Sequence, residues 1–449
     1  MLESKETVGG GLRSGAITLP GFTHDYCAAV HPLAAASPFF QSLPLQDFGL
    51  QYCYPEISLA HPFDDGSAIA LLHSMDAMAA SLGADADAYR KLMLPLVKSW
   101  PVIGNEILGP IHFYKHPVEM GAFGLKALSS VNRLAKRFVT EKTKGFWAGL
   151  GMHAQVPFNL LASSGIGLVL LTAGHKRGWP VVQGGSQSLA NALAAYFTSL
   201  GGVIELNMPV QSLDQLPSSH AVLLDVGPAQ LLTIAGHRLS PLYRWQLGRY
   251  RYGMGVFKID WALSEQIPFT TPAAKKAGTV HLGGGYAEIA AWESAVWGGS
   301  YLERPGVLLA QQSLADPLRA PAGRHTGWAY CHVPNGSNRD MTTAIEEQVE
   351  RFAPGFRDTI LARHVMNTED LETRNDNYFG GDIGGGANTL SQLFTRPALR
   401  ASPYRSSARG IYLCSASTPP GGGVHGMCGF HAARRALKDL FQNLMRKEK

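Results

Sequence analysis

The chain lacks the features that would place it in several common functional classes. Its five cysteines form no C-x-x-C pair and no zinc-ligand spacing, which favours free thiols in a reducing compartment. Charged residues make up only 16% of the sequence and the formal net charge is +5, so nucleic acid is a poor candidate partner. No serine-histidine-aspartate order, paired-carboxylate motif or metal-ligand spacing stands out. The sequence therefore predicts no metal site, and its catalytic residues are not identified by any such motif.

A dinucleotide-binding loop is also missing, because no G-x-G-x-x-G follows a predicted strand anywhere, which disfavours an NAD(P)H dehydrogenase. Met1-Leu2-Glu3 nevertheless reads as the end of a strand. An acidic residue at that place accepts hydrogen bonds from a ribose, and normally follows the glycine loop by ~20 residues. Glu3 is thus either a ribose acceptor or a surface acid. The next segment contains Gly10, Gly11, Arg13 and Ser14, where Arg13 and Ser14 would reach phosphate or ribityl oxygens or would lie in a surface loop.

The densest glycine segment lies near the other end of the chain, with five glycines in the nine positions 421–429. A helical pattern follows it at once. Glycine lets a backbone approach a ligand closely, and a helix N-terminus offers unpaired N–H groups. The segment therefore predicts a cofactor cradle, for which the candidate residues are Gly421, Gly422, Gly423, Val424 and Gly426.

Together with the segments 183–189, 252–261, 328–336 and 351–356, these motifs resemble the FAD-dependent oxidoreductases of the phytoene desaturase type. The resemblance covers essentially the whole chain and implies FAD as cofactor. It implies an α/β fold, in which an incomplete Rossmann-like FAD-binding domain is interleaved with an α+β substrate domain carrying a mixed sheet and a helical cap. The expected domains are 1–15, 176–240 and 401–449 for FAD, and 16–175 and 241–400 for substrate, with the cap at about 74–174.

Members of this family begin with roughly 30 residues of strand, glycine loop and helix that bind the FAD pyrophosphate. The resemblance implies that this unit precedes Met1 in a complete member. A start-site error, a shortened form and a gene remnant all stay open as explanations. A second interpretation follows, in which the chain is a flavin-free, non-catalytic protein that acts through protein or membrane contacts.

The resemblance also implies roles for other residues. The backbone near Val210 would meet the adenine ring, and the glycine cluster 380–386 would lie beside the flavin. Hydride would pass from a C–H bond of a small lipophilic substrate to the flavin, and the electron acceptor is unknown. Lys258, His332 and His425 are the only catalytic candidates, although buried lysines and histidines are more often structural.

Two segments bear on membranes. The apolar run 156–173 contains polar residues and glycines, which favours a buried or interfacial helix over a membrane span and leaves open a membrane-surface mouth for the substrate. The basic tail 434–449 would either touch anionic lipid or form a solvated helix face. Free thiols favour the cytoplasm, or the mitochondrial matrix in a eukaryote, and peripheral membrane contact stays open.

Local patterns predict several elements. Alternation predicts strands at 16–19, 57–63, 67–72, 203–206, 222–226, 256–261 and 307–312. Apolar residues at spacings of three and four predict helices through 74–174, at 188–200 and at 341–352. Asp64-Asp65-Gly66 predicts a hairpin turn, and Ser74 and Asp87 are predicted helix N-caps.

Overall fold

The fold is given by a computed structural model that describes residues 1–445, with side chains to residue 440. Within these residues the strands are β1 Ser14–Gly15, β2 His24–Asp25, β3 Tyr52–Cys53, β4 Ile57–Pro62, β5 Ala68–Ala70, β6 Val181–Val182, β7 Val222–Leu224, β8 Gly255–Leu263, β9 Ala277–Leu282, β10 Val307–Ala310, β11 His325–Val333, β12 Ile360–Met366 and β13 Ile411–Leu413. The last four residues of the predicted basic tail, 446–449, lie outside the described residues.

The α-helices of the described chain surround these strands. They are α1 Pro32–Ala36, α2 Pro38–Gln41, α3 Met75–Ser81, α4 Ala86–Ile107, α5 Pro117–Ala127, α6 Val131–Ala135, α7 Glu141–Met152, α8 Ser164–Arg177, α9 Gln187–Ser199, α10 Pro228–Ala235, α11 Pro241–Gly248, α12 Pro272–Lys276, α13 Tyr286–Trp297, α14 Gln312–Ala315, α15 Thr342–Phe352, α16 Thr368–Arg374, α17 Leu390–Thr395 and α18 Met427–Met445.

The centre of the molecule is a mixed sheet of seven strands in the order β12-β8-β11-β10-β9-β4-β5. The β4–β9 pair is parallel, and the other neighbours are antiparallel. All residues of β8, β9 and β10 are buried, because helices or loops cover both faces. Strands buried on both faces are rich in apolar residues without strict alternation, which fits β8 and β10.

The two faces of this sheet carry different cores. Alternate residues of β8 point to opposite sides. Phe257, Ile259 and Trp261 join a core that includes helix α15, and Val256 joins the core on the other face, under helices α3 to α8. We call these helices the cap. Their presence confirms the prediction of a helical stretch at 74–174.

Most of the predicted elements are present. The hairpin of β4 and β5 turns at Gly66, which has φ +78°, and the Ser74 side chain accepts a hydrogen bond from the Ala77 N–H at the start of α3. The strand predicted at 16–19 was wrong, because the chain bends there. Asp87 was also a wrong N-cap: it lies in the first turn of α4, where Asp85 precedes the helix.

The apolar run 156–173 enters α8, in which Leu168, Leu171 and Ala173 are buried. The prediction of a buried helix is therefore confirmed for its second half. Within the described residues no helix is both long and apolar enough to cross a bilayer.

Short strand pairs lie apart from the large sheet. β7 and β13 pair in parallel over three residues each. Leu2 and Glu205 form a single parallel bridge where a longer strand was predicted at 203–206. These pieces position the two ends of the chain, which carry most of the predicted cofactor residues.

Candidate flavin site

Glu3 and Arg13, the two charged residues predicted for the cofactor, lie in contact. The Glu3 N–H donates to the Glu205 carbonyl (2.9 Å), and the Glu3 carbonyl accepts from the Met208 N–H (2.8 Å). This pairing extends the backbone at Glu3, whose Oε1 lies 3.3 Å from Nη2 of Arg13. Val210 follows Met208 by two residues. The structure thus places Glu3, Arg13 and the segment leading to Val210 in one region.

A narrow pocket lies beside the glycine turn that precedes Arg13. A Cβ atom on Gly11 would lie 2.0 Å from the Tyr378 hydroxyl, so only glycine allows this approach. Gly10 adopts φ +53°, which also favours glycine. The remaining polar and charged lining comes from Arg13, Tyr26, Cys27, Arg374 and Asn375. Sequence reasoning missed Tyr378 and Arg374, because more than 350 residues separate them from Gly11.

A buried ionic hub fixes the position of Ser14. The Ser14 hydroxyl donates to Asp25 Oδ1 (2.6 Å), which also accepts from the Ser186 N–H (2.8 Å). Arg319 donates from Nη1 to Asp25 Oδ2 (2.9 Å) and from Nε to Asp316 (3.0 Å). All three charged groups are almost fully buried. The hub therefore joins Ser14 and the turn before α9 to the connection between β10 and β11 of the large sheet.

The charges in the hub are compensated. Burial raises the pKa of Asp25, but the Arg319 guanidinium and the hydrogen bonds from Ser14 and Ser186 outweigh it, so this pKa lies below its usual value. Sequence reasoning did not select Asp25 or Arg319. Asp25 lay close to the glycine segment, whereas Arg319 stands 294 residues further along, where no local pattern could connect the two.

The second glycine segment ends at the N-terminus of α18. His425 accepts a hydrogen bond at Nδ1 from the Met427 N–H (3.0 Å), so its Nε2 carries the proton and donates to the Gly421 carbonyl (3.2 Å). Ser37 donates to the His425 carbonyl (2.7 Å). Burial lowers the pKa of His425 to about 4. The His425 ring is neutral and both of its nitrogens are hydrogen-bonded, so the side chain has a positioning role in the turn.

The two glycine clusters of the C-terminal third touch each other. A Cβ atom on Gly422 would lie 2.6 Å from the Gly384 carbonyl oxygen. The loop around Gly384 is held by Asp382, which accepts from the N–H groups of Gly253 (2.6 Å) and Gly386 (2.9 Å), as well as that of Gly384 itself. The cluster 380–386 follows α16 and a short turn, and no strand leads into it.

The glycine turns from the two ends of the chain flank one small core. Leu12 and Val424 both pack against a cluster that includes Ala34, Phe40 and Leu189. Helices α1 and α2 contribute Ala34 and Phe40 to this core. The two predicted halves of the cradle therefore contact the same core.

Lys258 lies in the large sheet, facing the cap. It is 2% exposed and forms an ion pair with Asp260, and its Nζ lies 5.8 Å from the centre of the Trp328 ring. His24 Nδ1 approaches Asp260 at 3.7 Å. Burial raises the pKa of Asp260 to about 6 even though Lys258 opposes the shift, and burial together with Lys258 lowers the pKa of His24 to about 3.

His332 does not belong to the same constellation as His425. Its Nδ1 lies 2.8 Å from Glu293 Oε1, whereas its buried Nε2 has no hydrogen-bond partner among the described residues. The three catalytic candidates thus do not come together: Lys258 and His332 lie on the neighbouring strands β8 and β11, and His425 lies at the glycine segment.

A row of side chains crosses the sheet on the cap face. The register places Lys258 opposite Tyr330, Tyr330 opposite Leu308, Leu308 opposite His281, and His281 in line with His61 on the far strand. His61 and His281 are fully buried. Desolvation lowers the pKa of His61 to about 4 and that of His281 well below its usual value.

Parts of this chain are similar to a known protein family and to characterised proteins. The model of the family described as "Flavin containing amine oxidoreductase" matches residues 116–233. The pyridine nucleotide-disulfide oxidoreductase domain-containing protein 2 of Rattus norvegicus is 36% identical over 155 residues, which are 32% of this chain and 26% of that protein. The neurosporene-forming phytoene desaturase of Rhodobacter capsulatus is 27% identical over 276 residues, or 55% of this chain and 51% of the enzyme.

Solved structures agree over nearly the whole chain. An oxidoreductase from Methanosarcina mazei aligns with a TM-score of 0.62 at 14% identity, covering 97% of this chain and 93% of that one. A putrescine oxidase variant aligns with a TM-score of 0.59 at 15% identity, covering 98% and 93%. The chain has the fold of the flavin-dependent amine oxidases. The predicted resemblance and the α/β fold class are confirmed, and FAD is the cofactor that the comparisons support.

The curated relatives are longer than the matched segments. The alignments cover about a quarter of the first relative and about half of the second. They support an oxidoreductase of the flavin-dependent type and leave the substrate open.

The residues present fit the polar parts of this cofactor. Arg13 offers a cationic group, Glu3 offers an acceptor, and Gly10 and Gly11 place no side chain of their own over the backbone. The Ser14 hydroxyl, by contrast, already donates to Asp25 and accepts from the Gln187 N–H (3.1 Å). The pocket itself encloses only about 20 Å³, which is room for about one water molecule. Binding of a ring system there therefore requires side chains such as Tyr378 to turn away.

Proposed function

We propose that the chain is an FAD-dependent oxidoreductase that removes a hydride from a C–H bond of a lipophilic small molecule. The observation that carries the proposal is the contact between Glu3 and Arg13 beside the side-chain-free turn at Gly10 and Gly11. An acceptor for a ribose hydroxyl and a donor for phosphate then stand on neighbouring elements. Glu3 and Arg13, both predicted from the sequence to bind the cofactor, form an ion pair with each other.

Each proposed group has a defined task. Arg13 and the backbone N–H groups near Gly10 would bind phosphate or ribityl oxygens, Glu3 would hold a ribose hydroxyl, and the segment at Val210 would border the adenine. The N-terminus of α18, with the segment 421–426, would favour negative charge near it. When bound, FAD supplies the hydride acceptor.

We also propose that the FAD-binding and substrate-binding parts divide as the sequence predicts, at 1–15, 176–240 and 401–449 against 16–175 and 241–400. The Asp25–Arg319 hub supports this division. It links Ser14 and Ser186 of the first proposed part to Asp316 of the second.

The substrate side supports a lipophilic molecule. The core between the cap and the sheet includes Trp147, Leu150, Met152 and Phe158, so a substrate entering there meets apolar groups. Among the similar proteins, the Rhodobacter enzyme is named a phytoene desaturase. Lys258 is the buried cation on this face, and its partner Asp260 holds the ammonium in place.

The test is binding of FAD to the purified chain, followed by absorbance and by quenching of flavin fluorescence. We expect retained flavin bands after excess FAD is removed. The variant Arg13→Ala should bind at least about tenfold more weakly, because a charge-assisted hydrogen bond contributes about 1.5–3 kcal/mol. The matched control is Lys276→Ala, which removes one half of the exposed ion pair with Glu56 and should leave binding unchanged.

Two results would count against the proposal. A chain that takes up no flavin at any concentration would favour a non-catalytic protein that acts through contacts. Equal affinity of the wild type and Arg13→Ala would show that flavin binds elsewhere.

A further inference from the structure

The outer face of helix α5 is unusual because it is apolar. Its exposed residues are Pro117, Val118, Gly121, Ala122 and Leu125, and Leu128 follows in the next turn. None of them is charged, and Val118 and Leu125 are 78% and 84% exposed. A helix on the surface of a globular protein normally turns its polar side outward. We call these six residues the α5 face.

The segment before α5 continues this surface. Phe113 is fully exposed, Ile111 is 56% exposed, and Val102 near the end of α4 is also exposed. Helices α4 and α5 pack against each other, and α5 rests on α8, most of which is buried. An apolar patch of this extent on a folded chain marks a site of interaction.

The exposed charge in the chain segment that contains the α5 face has one sign. In the segment 98–139, the exposed ionised side chains are Lys98, Lys115, Arg133, Lys136 and Arg137. The two carboxylates of this segment are less accessible. Glu106 is buried and accepts hydrogen bonds from the Lys115 N–H and His116, and Glu119 is half-buried.

We propose that the α5 face docks the protein on an anionic lipid bilayer. The helix face is uncharged and apolar, the loop before it exposes an aromatic residue, and the flanking segments expose cations. This is the pattern of a helix that lies in a membrane interface. Apolar burial and attraction to anionic headgroups act together there. The charge complementarity favours lipid over a second copy of this chain, whose α5 face would present cations of the same sign.

This assignment differs from the membrane segment that the sequence suggested. The run 156–173 is largely buried in and before α8 and offers no comparable surface. The proposal places the cap, which covers the apolar core over the sheet, on the membrane side of the molecule.

The experiment is flotation of the purified chain with phosphatidylcholine vesicles, with and without phosphatidylglycerol. We expect binding to the anionic vesicles, and a loss of at least about tenfold for the double variant Val118→Ser with Leu125→Ser, since burial of each side chain contributes strongly. The double variant Lys136→Glu with Arg137→Glu should weaken binding only to anionic vesicles, because each basic residue near such a surface strengthens binding by about fivefold.

The matched control is Leu242→Ser, at an exposed leucine on α11, which should bind as the wild type does. Because the changed side chains are exposed, all variants should keep the wild-type unfolding midpoint. The proposal is overturned by absence of binding to either vesicle, or by equal binding of the α5 variants. It is also overturned if the wild type is a dimer that the α5 variants convert to a monomer with unchanged lipid binding, since the face would then be a protein interface.

Discussion

The chain forms two kinds of sheet with very different support. The large sheet has strands of up to nine residues, and β8, β9 and β10 are buried throughout. The parallel pair β7–β13 spans three residues on each strand, and the Leu2–Glu205 bridge is a single contact. Leu223 of β7 is 40% exposed, and Leu2 and Val203 are exposed as well.

The large sheet and the short strand pairs should therefore differ in stability, and the proposed binding residues lie near the short pairs. The large sheet is held by side chains packed on both faces, so it should open only when the whole protein unfolds. The short pairs and glycine turns rest on smaller cores, such as the one that buries Leu224 and Leu413, and the Asp25–Arg319 hub holds the turn at Ser14. Ligand-binding segments commonly come from the less stable part of a protein, and the proposed flavin residues lie there.

Acid should destabilise both regions through buried histidines, with the largest expected effect. His61 lies in β4 of the large sheet, whereas His24 lies in β2 and His31 precedes α1. Burial lowers the pKa of His24 to about 3 and those of His31 and His61 to about 4. Above pH 6.5 neither state of the protein binds these protons. Below it the unfolded chain takes them up and the native state does not, so the free energy of unfolding falls as the pH drops toward 4.

Each such imidazole should contribute a slope of about 1.4 kcal/mol per pH unit in this window. Urea unfolding between pH 8 and pH 5 measures the slope. His61→Gln should reduce the slope by the contribution of one imidazole. His112→Gln, which removes an exposed histidine, should leave the slope unchanged. A stability that is constant from pH 8 to pH 5 would contradict the buried neutral rings.

Removing Arg319 should uncouple the two regions. The substitution Arg319→Met leaves Asp25 and Asp316 buried without their partner, which costs about 3–5 kcal/mol. Thermal unfolding measures the loss, and hydrogen exchange should show the largest change near Ser186, whose N–H binds Asp25. Arg324→Ala, at an exposed arginine that binds one backbone carbonyl, is the control. Equal effects of the two substitutions would contradict the role of the hub.

A matched pair of leucines compares the two sheets directly. Leu309 in β10 is fully buried, and Leu223 in β7 is 40% exposed. Leu309→Ala should lower the free energy of unfolding by about 2–5 kcal/mol, the usual range for buried leucines. Leu223→Ala should lower it by less than about 1 kcal/mol. Urea unfolding of both variants checks the contrast, and similar values would contradict the difference in burial between these two positions.

The sequence predicted the elements of the large sheet better than the short ones. β4, β5, β8 and β10 have clear apolar patterns and turns, and they appear near their predicted positions. The strand predicted at 203–206 is reduced to one bridge, since local propensity does not decide whether a partner strand is present.

The candidate site was predictable where glycine and charge lie close together in the sequence. Gly11 and Arg13 could be selected for this reason, and they line the same pocket. Tyr378 and Arg319 could not, because their contacts join distant parts of the chain. A backbone position with positive φ or a close contact requires glycine, which can be recognised in the sequence. A contact between residues far apart in the chain has no local sequence pattern.

Hydrogen exchange with and without FAD tests whether the glycine turns form the flavin site. We expect FAD to slow exchange at residues 9–14, 380–386 and 421–427, in the weakly supported part of the molecule, while β8 to β11 stay protected and unchanged. No change at any of these three segments, or slowing confined to the large sheet, would contradict the claim that the glycine turns form the flavin site.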